Sequence, residues 1–81
     1  MNNSTFKEQQ KYPNWKHQIM ESSGQNLIDE ILKLTRNDII DWLQWNDPNG
    51  IYTDELSLQE FGAVMLREEG IGIMTRQILG K

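Results

Sequence analysis

The chain has 81 residues, a formal charge of −4, one histidine and no cysteine, which describes one small domain. The missing cysteines exclude disulfides, thiolate zinc sites and cysteine nucleophiles, and they suit a reducing, cytoplasmic setting better than a small secreted scaffold. The acidic balance argues mildly against a general nucleic-acid binder, which carries a basic face, and fits solubility, a protein partner with a basic surface or imitation of a nucleic-acid backbone. No apolar run approaches the roughly 18 residues of a membrane span. The N-terminus lacks the basic start and apolar stretch of a signal peptide. A chain of this size buries only about 60% of its unfolded surface, so a homodimer would help so small a core.

Residues 1–12 are mostly Asn, Gln, Lys and Ser, too polar to order themselves alone. They read as a flexible or weakly helical segment. Thr5 and Glu8 have capping-box spacing for a short helix before Tyr12, which Pro13 must end. Residues 13–81 read as a single helical domain. Pro13 opens the next helix, with Trp15 and Ile19 four apart on one face and Met20 beside them. Ser22-Ser23-Gly24 stops it. From Asn26 to Leu34 the period is helical: Leu27, Ile28, Ile31, Leu32 and Leu34 form one stripe, and Asn26, Asp29, Glu30 and Lys33 form the other.

Thr35 is a good N-cap, and Asp38 stands three residues on, where its carboxylate answers the cap and opposes the dipole. A helix therefore starts at Arg36 and runs through Trp42 and Leu43 to Trp45. Asp47-Pro48-Asn49-Gly50 has the preferences of a type I turn, and Ile51-Tyr52 leave it extended. Ser57-Leu58-Gln59-Glu60 has the form of a capping box. It predicts a helix from Leu58, with Leu58, Phe61, Met65 and Leu66 as its apolar side and Gly70 as its C-terminal cap. Ile71, Met74 and Ile78 are spaced for a last short helix ending at Gly80. The expected fold class is all-α, a compact bundle of four or five short helices.

Little of this carries chemistry. The turn invites a calcium reading, but aligning Gly50 with the glycine of an EF-hand loop puts Trp45 at the first ligand position and Leu56 at the twelfth. His17 alone offers no transition-metal set. No strand-turn-helix elbow presents a serine nucleophile, and so small a domain leaves little room for a dry catalytic cleft. The expectation is a protein without catalysis, metal or cofactor.

Two binding readings remain. A helix-turn-helix over residues 57–79 would put Thr75, Arg76 and Gln77 near the start of a recognition helix, where polar side chains meet base edges. Glu60, Glu68 and Glu69 would then sit near phosphates, which opposes binding. The alternative lies in Asp41 to Glu55, which holds two of the three tryptophans. The wheel places Trp42 on the shoulder of the core and Trp45 on the polar side. Either the returning Ile51 or Tyr52 covers Trp45, or Trp45 and Tyr52 form an aromatic spot rimmed by Asp41, Asp47, Asp54 and Glu55, suited to a basic partner.

The run Leu34-Thr35-Arg36 to Asp41-Trp42-Leu43, followed by Trp45-Asn46-Asp47-Pro48-Asn49-Gly50-Ile51-Tyr52-Thr53-Asp54-Glu55, resembles a group of short uncharacterised proteins of gut bacteria and their mobile elements. They share a Trp-Asn-Asp-x-Asn-Gly-x-Tyr-x-Asp-Glu turn. The resemblance spans roughly residues 34–78 and implies a bacterial or phage setting without a mechanism. Size, acidity and missing chemistry together predict a non-catalytic protein-interaction module, regulatory or inhibitory, with Trp45, Tyr52, Asp47, Asp54 and Glu55 as its contact residues. The DNA-binding regulator is the alternative.

Overall fold

A computed structural model describes residues 13–80. Five helices follow one another: α1 (Trp15–Glu21), α2 (Gly24–Leu32), α3 (Arg36–Asn46), α4 (Asp54–Phe61) and α5 (Arg67–Leu79). The described residues contain no strand, so the all-α class is as the periodicity predicts. The expected helix before Tyr12 lies outside the described residues.

The core is assembled around α3. Ile39, Trp42 and Leu43 are fully buried there, and Ile19, Leu27, Ile31, Leu34, Tyr52, Met65, Met74 and Ile78 close around them. α3 and α5 form the principal helix pair, and α1 packs on α2. The start of α3 is held as its sequence predicts. The Thr35 hydroxyl accepts from the Asp38 amide at 3.1 Å, and the Asp38 carboxylate accepts from the Thr35 amide at 3.0 Å. Two of the orphan donors of the first turn are thereby satisfied.

Several boundaries differ from the expected ones. Pro13 lies in a turn before α1 rather than opening it, and Asn14 takes the cap position. α2 begins two residues early, with Ser23 at the cap and Gly24 at φ +59°, a conformation that favours glycine. Its buried stripe is narrower than the wheel suggests, because Ile28 and Leu32 are exposed. Trp42 lies deeper than the core shoulder. α1 crosses that side of α3, and the indole N–H donates to the Lys16 carbonyl at 3.1 Å, so the ring is buried with its polar atom paired.

The largest correction concerns residues 53–80. Ser57 is not a cap. Thr53 is, its hydroxyl accepting from the Leu56 amide at 3.2 Å, with Asp54 and Glu55 in the first turn where carboxylates oppose the helix dipole. Gly62 ends α4 in the left-handed region, at φ +76°, which a side chain disfavours. Gly70 ends nothing and sits buried inside α5. A Cβ there would come 2.8 Å from Ile39 Cγ2 and 3.1 Å from Met65 Cε. The missing side chain is what lets α5 lie close on α3, and this close approach outweighs the helix-breaking tendency of glycine. The region holds two helices as expected, but the break between them falls at residues 62–66 instead of at Gly70.

Candidate protein-binding surface

The aromatic-acidic turn folds inward. The Gly50 amide donates to the Asp47 carbonyl at 3.0 Å, closing the turn after α3. Tyr52 is then carried into the core, 7% exposed. Its hydroxyl donates to the Asp47 carboxylate at 2.6 Å and accepts from Gln77 Nε2 at 3.0 Å. The Gln77 carbonyl accepts from Asn46 Nδ2 at 2.8 Å. One chain of hydrogen bonds thus joins the end of α3, the returning turn and α5. Burial, and then the bond to Asp47, push the Tyr52 pKa above the ordinary phenol value.

Asp54 is likewise engaged. It pairs with Arg36, whose Nη1 lies 3.3 Å from its Oδ2 and whose Nη2 meets its Oδ1. Arg36 Nε donates to the Met65 carbonyl at 2.8 Å. One guanidinium therefore ties the start of α3 to the start of α4 and to the segment before α5. Hydrogen bonding to Arg36 lowers the Asp54 pKa, and the same bond raises that of Arg36.

Trp45 faces the other way. It is 36% exposed, and the rings it meets are Trp42 at 6.0 Å and, edge-on, His17 of α1 at 4.8 Å. Lys16 completes this clasp with an ion pair to Asp41 at 3.2 Å. Tyr52 is turned into the core, so it forms no exposed spot with Trp45. Of the five expected contact residues, Tyr52 is buried and Asp47 is bonded to it, Asp54 is exposed but paired with Arg36, and Trp45 and Glu55 are exposed.

The helix-turn-helix residues are also placed differently. Thr75, Arg76 and Gln77 lie towards the C-terminal end of α5, not at its start. The Thr75 hydroxyl donates to the Ile71 carbonyl and Gln77 belongs to the Tyr52 network, so of the three only Arg76 is exposed. A helix that presents its N-terminal side chains to a groove of DNA needs the opposite arrangement. Among the described residues, no group of three or more His, Asp or Glu side chains gathers as metal donors, and no helix is long and apolar enough to cross a membrane.

What the spacing missed is the orientation of α4. Its sole buried residue is Ser57, 2% exposed, while Leu58 is 54% and Phe61 69% exposed and Leu56 is also open to solvent. A globular helix ordinarily buries its apolar stripe, and here the serine points inward and the leucines and phenylalanine outward. Next to it lies a groove of about 550 Å³, lined by Ile51, by Ser57 and Phe61 of α4, by Ala63, Val64 and Met65, and by Glu68, Glu69, Gly72, Ile73 and Arg76 of α5. Arg67 is not part of this surface. Its guanidinium donates to the carbonyls of Leu32 and Leu34 at 2.9 to 3.1 Å and caps the end of α2. No protein-family model, curated protein or solved structure matches the chain.

Proposed function

We propose that this chain is a small acidic, non-catalytic protein-interaction module that binds through the outer face of α4 and the groove beside it. The observation that carries the reading is the orientation of α4: a capped, well-formed helix that buries a serine and holds Leu58 and Phe61 in solvent. Contiguous apolar surface of this kind marks interaction sites on monomeric proteins. Covering a large apolar side chain is worth about 1.5–3 kcal/mol, so Leu58, Phe61 and Val64 offer a partner a substantial anchor. The reading moves the contact face away from the turn at Trp45 and Tyr52, whose polar groups are consumed in holding the fold. A regulatory or inhibitory protein of a phage or mobile element fits the size and the acidity.

The test compares three forms of the full chain as bait in a bacterial lysate. Wild type and Trp45→Ala should retain the same partner, and Phe61→Asp should lose it while keeping its helical circular dichroism. Phe61 is exposed, so its replacement leaves the core intact. Loss with Trp45→Ala and retention with Phe61→Asp would return the contact face to the turn and sink the reading.

A further inference from the structure

We infer that the groove beside α4 receives a basic amphipathic helix of a partner protein, an inference that rests on the reading of α4 and its groove as the binding surface. Three observations choose this occupant. The first is charge. Residues 54–69 contain Asp54, Glu55, Glu60, Glu68 and Glu69 against Arg67 alone; Arg67 is engaged at the end of α2 and Asp54 is paired with Arg36, which leaves the four glutamates. Glu68 and Glu69 line the groove, with Arg76 as its single cation. An acidic rim around apolar walls attracts lysine and arginine. It repels nucleic acid, and it would set a second copy of this chain against its own carboxylates.

The second observation is Gly72. Gly70 has a packing reason to be glycine, but Gly72 has none: a Cβ there would meet only Arg76 Nη1, at an ordinary 3.6 Å. Glycine inside a helix nonetheless destabilises it by about 0.5–1 kcal/mol relative to alanine. What the glycine does achieve is a stretch of groove wall without a side chain, against which another backbone can come close. The third is Ser57. It lines the groove and is nine-tenths buried, yet its hydroxyl has no hydrogen-bond partner among the described residues. Buried hydroxyls are ordinarily paired, so this one is available to a polar atom of the occupant. A helix with an apolar stripe at i, i+3, i+4 and i+7 would set its stripe against Phe61, Val64 and Ile73 and its flanking cations near Glu60 and Glu68.

The probes are three fluorescent peptides of leucine with lysine or glutamate, titrated against the full chain by anisotropy at two salt concentrations. One has its leucines in a helical stripe flanked by lysine. The second has the same composition scrambled, and the third replaces lysine by glutamate. The striped lysine peptide should bind at least about tenfold tighter than either control. Phe61→Asp and Gly72→Leu should each weaken it by about tenfold or more, and Glu68→Lys should weaken it and flatten its salt dependence. Circular dichroism confirms that each variant is folded.

Equal binding of the scrambled peptide would reduce the effect to diffuse attraction and overturn the inference. Equal binding of the glutamate peptide, still lost in Phe61→Asp, would overturn the basic partner while leaving α4 as the binding surface. Absence of binding by all three peptides would overturn it too, as would a dimer in sedimentation that Phe61→Asp dissolves. If Phe61→Asp binds normally and Trp45→Ala does not, the inference and the reading beneath it fall together.

Discussion

The same substitution, two residues apart on α5, should change stability in opposite directions. At Gly70 an alanine Cβ would stand 2.8 Å from Ile39 Cγ2. That methyl is attached directly to the β-carbon of a fully buried residue, so it cannot swing aside as the Met65 terminus can. Overpacking of this kind costs about 1–3 kcal/mol, and the helical preference of alanine returns about 0.5–1 kcal/mol. Gly70→Ala should therefore lose up to about 2.5 kcal/mol. At Gly72 the Cβ meets nothing closer than Arg76 Nη1 at 3.6 Å, so only the helical gain operates, and Gly72→Ala should add about 0.5–1 kcal/mol. Urea titration followed by circular dichroism measures both, with an unchanged slope showing that the denatured state is the same. In thermal melting each kcal/mol corresponds to about 4–8 °C for a domain of this size. Stabilisation by both changes would mean that α5 does not press on Ile39. Destabilisation by Gly72→Ala would show a structural need for that glycine and remove one support of the proposed helix groove.

Trp42→Phe leaves the partly buried Lys16 carbonyl without its 3.1 Å donor and shrinks a fully buried ring; together these should cost about 2–4 kcal/mol, with hydrogen exchange in α1 rising more than in α5. Thr35→Ala removes the cap of α3 and should cost about 1 kcal/mol in urea titration. Asp54 titrates below its ordinary value because Arg36 bonds its charged form. The stability this confers is present above about pH 4 and lost as pH falls through the lowered folded value, so Asp54→Asn should flatten the acid limb of melting temperature against pH. Tyr52 titrates above its ordinary value because it is buried, and that stability is full below about pH 10 and fades as pH rises through the raised folded value. Tyr52→Phe should abolish this part of the alkaline loss, and phenolate absorbance should show one late-ionising tyrosine in the wild type.

Legibility in the sequence followed the range of the interactions involved. The start of α3 could be read because its capping box lies within four residues, Thr35 to Asp38. The turn at Asp47 to Gly50 was readable for the same reason. The division of residues 53–80 was not, since two local signals competed there. Thr53-Asp54-Glu55 and Ser57 to Glu60 both look like helix starts, and the choice depends on Arg36, seventeen or more residues earlier in the chain, holding Asp54. Gly70 reads locally as a stop, and only the side chain of Ile39 in another helix explains why it is not one. Among the site residues, Tyr52 and Asp47 stand out as unusual residues of one turn, but nothing local shows that they bond each other. The direction in which the turn carries them depends on Gln77, which no local pattern connects to them. The helical wheel of α3 placed Trp45 correctly on the open side, but could not show that His17 of α1 would lie against it.

The orientation of α4 ties its stability to its function. α1, α2, α3 and α5 each place large apolar side chains in the core, whereas α4 contributes a serine. Its order rests on polar devices at its ends: the Thr53 cap, the left-handed Gly62, and the ion pair between Arg36 and Asp54. An exposed ion pair contributes little, and a cap contributes about 1 kcal/mol. These hold a short helix in place without the burial that secures the others. α4 should therefore be the first helix to open in native-state hydrogen exchange. A partner that covers Leu58 and Phe61 supplies the missing burial and binds the ordered helix in preference to the open one, so it must also protect the α4 amides, by an amount that grows with its concentration. Ligand-dependent protection concentrated in α4 and the facing side of α5, with α1 unchanged, is what distinguishes docking on this helix from docking at Trp45, which would protect α1 instead.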